Sequence, residues 1–133
     1  MTPTPTRTSD ATRERLLAAA ATVVRRAGPR ALTLDAVAHE AGVSKGGLLY
    51  HFPSKRALVR GLVADWMDRF EAEVDAAAEP EGTGGWTRAY VHGSDMTRMA
   101  PDERDAEFSL LSVLIDAPEE LDFVRERYTA WQA

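Results

Sequence analysis

Leu16, Leu17, Ala20, Val23, Val24 and Ala27 stand at offsets 0, 1, 4, 7, 8 and 11, the 3.6-residue period of a helix buried along one face. Gly28-Pro29 ends that helix, since glycine takes the left-handed turn and proline cannot continue it. Residues 1–8 alternate Thr and Pro and predict a mobile arm, with Ser9 or Asp10 as the helix cap. Thr33 then caps a second helix, Leu34 to Ala41, ended by Gly42. Ser44 caps a third, short helix that Pro53 closes. Ser54 caps a long fourth helix with apolar positions Leu58, Leu62, Val63, Trp66, Phe70, Val74 and Ala77, running to about Ala78.

Past a linker at Glu79–Gly85 the pattern predicts a helix near Trp86 to His92, a loop through Met96 to Pro101, and a helix from Asp102 to about Asp116. Ala117-Pro118 breaks it. Glu119 and Glu120 open a last helix, with acids placed favourably against the helix dipole. No stretch alternates as a strand does, so the fold class is all-α. The chain divides into an arm (1–8), a compact helical unit (9–54), a connecting helix (55–78) and a C-terminal helical region (79–133).

Charge changes this picture more than composition does. The 133 residues carry a net charge of -5. Residues 1–60, however, hold ten basic and four acidic side chains, a net of +6. The remainder holds six basic and seventeen acidic ones, a net of -11. Such a division suits a half that faces nucleic acid and a half that avoids it, though it also describes two solvated surfaces of opposite sign. Absence of cysteine excludes disulfides and thiolate metal sites, and fits a reducing cytoplasm. The apolar run Leu16 to Val24 is too short to span a bilayer. It is followed by Arg25-Arg26 rather than a small-residue cleavage site, so the chain reads as soluble and cytoplasmic, with no membrane partner.

The second and third helices form a helix-turn-helix pattern. Val37, Ala38 and Ala41 face the core, Val43 packs at the turn, and Leu48 and Phe52 anchor the third helix at i, i+4. That spacing leaves Lys45, Gly46, Gly47, Leu49, Tyr50 and His51 at or near the open side, where a groove of double-stranded DNA would lie. Thr33 and Ser44 sit at helix N-termini, whose N–H groups and hydroxyls hold phosphate oxygens. Gly46 and Gly47 each cost about 1 kcal/mol of helix propensity relative to Ala, which close approach to DNA would repay. A tight junction is the other use for them. Lys55 and Arg56 open the fourth helix at the dipole end that disfavours cations, an effect that nearby phosphates reverse. Arg56 reads more readily than Lys55 as a merely solvated side chain.

These residues resemble the DNA-binding domain of the TetR family of bacterial transcriptional regulators. The match runs through Leu16-Leu17, Ala19-Ala20, Gly28, Thr33, Val37-Ala38, Ala41 to Gly46, Leu48, His51-Phe52, Ser54-Lys55 and Leu58, and covers about residues 10 to 60. The resemblance implies a homodimer on a palindromic operator, usually repressing and released by a small-molecule effector. Its implied DNA contacts are Thr33, Ser44, Lys45, Gly46, Tyr50, His51 and Lys55. Many members carry Tyr where this chain has Leu49, which can meet a thymine methyl but not a phosphate. The aromatic contact therefore moves to Tyr50. Arg7 in the arm is a further candidate for a minor-groove or phosphate contact.

In the second half, the resemblance places a ligand pocket among the helices after the fourth. Trp86, Tyr90, Met96, Met99, Phe108, Leu111 and Ile115 are the candidates, each also readable as core filling. Leu121, Val124, Tyr128 and Trp131 form an apolar stripe on the last helix. It either packs inward or dimerises, and the chain looks truncated relative to the family. The alternative function is a helical interaction module that pairs with a longer regulator and modulates it. No catalytic or metal site is expected, and no cofactor. The three histidines lack metal-ligand spacing, and Asp35 with His39 at i, i+4 reads as a surface contact.

Overall fold

The structure, a computed structural model, describes residues 5–77, 91 and 101–132. Among them every regular element is helical. The helices are α1 (Pro5–Ala27), α2 (Leu34–Ala41), α3 (Lys45–His51), α4 (Lys55–Ala77), α5 (Pro101–Asp116) and α6 (Glu120–Gln132), with a 3-10 turn at Pro29–Ala31. The expected linker and the loop from Met96 to Ala100 fall outside the described residues, as do Trp86, Tyr90, Met96 and Met99. Of the helix expected at Trp86 to His92 only Val91 is described, and it is helical.

The first helix begins at Pro5, so Ser9 and Asp10 lie inside it rather than capping it. The Thr-Pro alternation permits this because a proline in the first turn lacks only an N–H that would have had no helical partner. Thr12 Oγ1 adds a bond back to the Thr8 carbonyl at 3.0 Å. Leu16, Leu17, Ala20 and Val24 are buried as their period requires, joined by Ala19, whereas Ala27 at the end is exposed.

Both glycine stops use positive φ. Gly28 (φ 84) donates its N–H to the Val24 carbonyl at 2.8 Å, and Gly42 (φ 64) closes α2 in the left-handed region. Beyond Gly42, Val43 N donates to Ala38 O at 3.0 Å, satisfying a carbonyl that the helix end leaves open. Ser54 caps α4 by accepting from Ala57 N at 3.1 Å.

One apolar cluster joins α1, Leu32, α2, α3, α4 and α5. Leu16, Leu48 and Leu58 are fully enclosed in it, and Val113 and Leu114 enter from α5. Helix α5 packs on α1 and on the turn at Pro29–Ala31, so the C-terminal region rests directly on the helix-turn-helix unit. The last helix packs on α4. Val124 meets the core cluster, and the Trp131 ring stands edge-on to Phe70 with centroids 5.9 Å apart. Arg127 reaches Asp68 at 2.7 Å and Glu71 at 3.1 Å. Of the expected dimerisation stripe, Val124, Tyr128 and Trp131 thus turn toward their own chain, and Leu121 alone is exposed. No described helix is long and apolar enough to cross a membrane.

Candidate nucleic-acid interface

Helix α3 is held from both ends and from behind. Ser44 in extended conformation accepts from Gly47 N at 3.1 Å, and Phe52 N donates to Leu48 O at 2.8 Å. Leu48 is enclosed. Phe52 is buried with the Arg13 guanidinium 5.3 Å from its ring centroid. Gly61 of α4 also lies against Phe52, where an added Cβ would stand 2.6 Å from Phe52 Cε1. That contact fixes how closely the end of the short helix sits on the long one. Arg15 of α1 donates to Ala41 O at 2.7 Å and so braces the turn between α2 and α3. None of Arg13, Arg15 and Gly61 carries a local signal, because each acts across a long stretch of chain.

The open face of α3 carries the expected residues. Tyr50 is 80% exposed, Leu49 is exposed beside it, and Lys45 stands at the first turn. His51 is half-buried, edge-on to Tyr50 with centroids 5.1 Å apart and tilted against Phe52, which orients the Tyr50 ring from behind. The two glycines differ. A Cβ on Gly46 would meet nothing within 4 Å, whereas one on Gly47 would stand 3.0 Å from Val43 Cγ1 and 3.2 Å from Ser44 Oγ. Gly47 therefore serves the tight junction, and Gly46 leaves bare backbone on the open face. Thr33 caps α2, accepting from Ala36 N at 3.1 Å, with its side chain at the surface.

Two electrostatic pairings depart from expectation. Asp35 pairs with Lys45 across the turn (Nζ to Oδ1, 3.1 Å) and not with His39 one helical turn away. Both partners are solvent-exposed, so the pair is weak and open to exchange. Arg56 is not simply solvated. Its Nε binds Glu120 Oε1 at 3.1 Å, while Arg60 Nε binds Glu120 Oε2 at 2.9 Å. Glu120, expected only as a favourable charge at a helix start, has no exposed surface. Bonded to both arginines it needs no further partner, and no buried side-chain polar atom lacks one among the described residues. Lys55 beside it is exposed at the start of α4 and enters no described ion pair.

Phe108, Leu111 and Ile115 are exposed on α5, Ile115 by 81%, and line no described cavity. The helix turns Val113 and Leu114 inward instead, because that face meets α1. Among the described residues no three His, Asp or Glu side chains converge as metal ligands would.

Residues 16–62, the span from the buried leucines of α1 to the first turns of α4, match the family described as bacterial regulatory proteins, tetR family. This segment is similar to the DNA-binding domain of the TetR family. Among its relatives is the HTH-type transcriptional repressor KstR2 of Mycolicibacterium smegmatis, 35% identical over 72 residues. That match covers 51% of this chain and 35% of the relative's length. The matched family span contains Thr33, Ser44 to Gly47, Leu49 to His51 and Lys55, all the residues assembled around α3. It also contains Arg56 and Arg60, whose partner Glu120 lies outside it.

Proposed function

We propose that this chain is a TetR-family DNA-binding transcriptional regulator whose α3 enters the major groove. The observation that carries the reading is the open face of α3, with Tyr50 and Lys45 outward on a helix anchored by Leu48 and Phe52. Lys45 exchanges Asp35 for a phosphate or a base edge, and Tyr50 and Leu49 make aromatic and methyl contacts. Thr33, Ser44 and Lys55 hold backbone phosphates, and Gly46 lets the backbone approach closely. His51 supports Tyr50 from behind.

The same proposal has the protein act as a homodimer on a palindromic operator, two α3 helices standing about 34–36 Å apart, one DNA turn. Its effect is repression, the activity for which the related M. smegmatis repressor is named, relieved by a small-molecule effector. The competing reading, an interaction module that pairs with a longer regulator, loses its main support because most of the α6 stripe faces α4.

Selection of bound fragments from genomic DNA, repeated at rising salt, tests the proposal. The expected result is enrichment of a sequence with two-fold symmetry. Binding of all fragments alike would overturn it.

A further inference from the structure

A cavity of about 270 Å³ opens where the Pro29–Ala31 turn, the start of α4 and the α5–α6 corner meet. Small-molecule sites begin at roughly 300 Å³, so the space suits a molecule of amino-acid size rather than a larger one. Leu32, Val59 and Val113 supply apolar lining. The charges on its walls are sorted by element: α4 brings Lys55 and Arg56, and the α5–α6 corner brings Asp116 and Glu119 together with Glu120, which Arg56 and Arg60 already neutralise. Lys55, Asp116 and Glu119 enter no ion pair among the described residues. The described bond from Arg56 to Glu120 uses Nε alone, and a guanidinium has further N–H donors.

We propose that this cavity binds a small zwitterion with an apolar body, its carboxylate at Lys55 and Arg56 and its ammonium at Asp116 and Glu119. A lone anion would meet the two acids, and a lone cation the two bases. A zwitterion satisfies both walls. The site also has a direct route to regulation, because a ligand carboxylate at Lys55 competes with a DNA phosphate for the same ammonium. That consequence rests on the regulator reading above, whereas the binding itself does not.

Calorimetric titration of the chain without DNA tests the site, with L-leucine and L-phenylalanine as probes and hexanoate and hexylammonium as single-charge controls. The expected result is saturable binding of an amino acid, at least about tenfold tighter than either control, one charge-assisted hydrogen bond's worth. Failure of both amino acids to bind, or a control binding as tightly, overturns the proposal. The surface double variant Asp116→Asn/Glu119→Gln should weaken binding about tenfold or more by the same reasoning, and unchanged affinity also overturns it. Ala117→Phe, verified as folded by circular dichroism, should abolish binding by filling the cavity. If that variant does not fold, the surface variant decides. Amino-acid binding by a chain that selects no DNA would remove the regulator reading and leave this site standing.

Discussion

Arg60 Nε stands 2.9 Å from Oε2 of Glu120, a carboxylate from the first residue of α6 that has no exposed surface. Arg56 binds the other oxygen, so one buried acid ties the start of α4 to the C-terminal region. The two guanidiniums are themselves 64% and 49% exposed at the side chain and can rehydrate if the acid is removed. Glu120→Ala should therefore cost about 1–3 kcal/mol, below the roughly 3–5 kcal/mol of breaking a fully buried pair. Urea unfolding measures it. A change within about 0.5 kcal/mol, the range of ordinary surface substitutions, would mean the contact contributes nothing to stability.

Gly61→Ala should destabilise the protein by about 1–3 kcal/mol, the usual range for overpacking, because its Cβ meets the Phe52 ring at 2.6 Å. Phe52 caps α3, so DNA affinity should fall as well. Thermal unfolding and a binding titration read the two effects separately, and an unshifted melting temperature would contradict the packing account.

The two glycines of α3 should respond differently. Gly46→Ala faces open space and should raise stability by up to about 1 kcal/mol through helix propensity, while weakening operator binding. Gly47→Ala presses on Val43 and Ser44 and should gain little or lose stability. If Gly46→Ala leaves operator affinity intact, close backbone approach at that residue is wrong.

Lys45→Ala and Tyr50→Ala should each weaken operator binding by about tenfold, the lower end of what one specific contact contributes. If Lys45 holds a phosphate, its loss should also reduce the slope of log affinity against log salt by about one. An unchanged affinity in both variants would move the reading surface away from this face.

Arg127 has its pKa raised above the ordinary guanidinium value, first by its hydrogen bond to Asp68 and further by Glu71, against an opposing desolvation. A raised pKa on a base contributes stability that is fully present below the unfolded value and is lost only as pH rises through the folded one. Both lie far above neutrality. The stability difference between the native chain and Arg127→Gln should therefore stay constant from about pH 6 to pH 9, as judged by denaturation at each pH. A difference that grows or shrinks across that range would assign the effect to another group.

The order of the described helices and most of their boundaries were legible in the chain because their causes are local. The 3.6-residue period placed Leu16, Leu48 and Leu58 in the core, and Thr33, Ser44 and Ser54 each cap the helix expected of them. The open face of α3 was legible for the same reason, since burying Leu48 and Phe52 leaves Lys45, Leu49 and Tyr50 outside. The start of α1 was misplaced because proline is tolerated in a first turn, where composition alone argues against a helix.

By itself, then, the sequence determined an all-α chain with a helix-turn-helix and the set of side chains on the open face of its third helix. Only the tertiary structure decided the pairings: Lys45 with Asp35, Arg56 and Arg60 with Glu120, Phe52 with Gly61, and α6 against α4. The physical reason is range. Period and capping act within a few residues, whereas Glu120 meets its partners 60 and 64 residues away, and no local pattern records which distant side chains a fold will bring into hydrogen-bond contact.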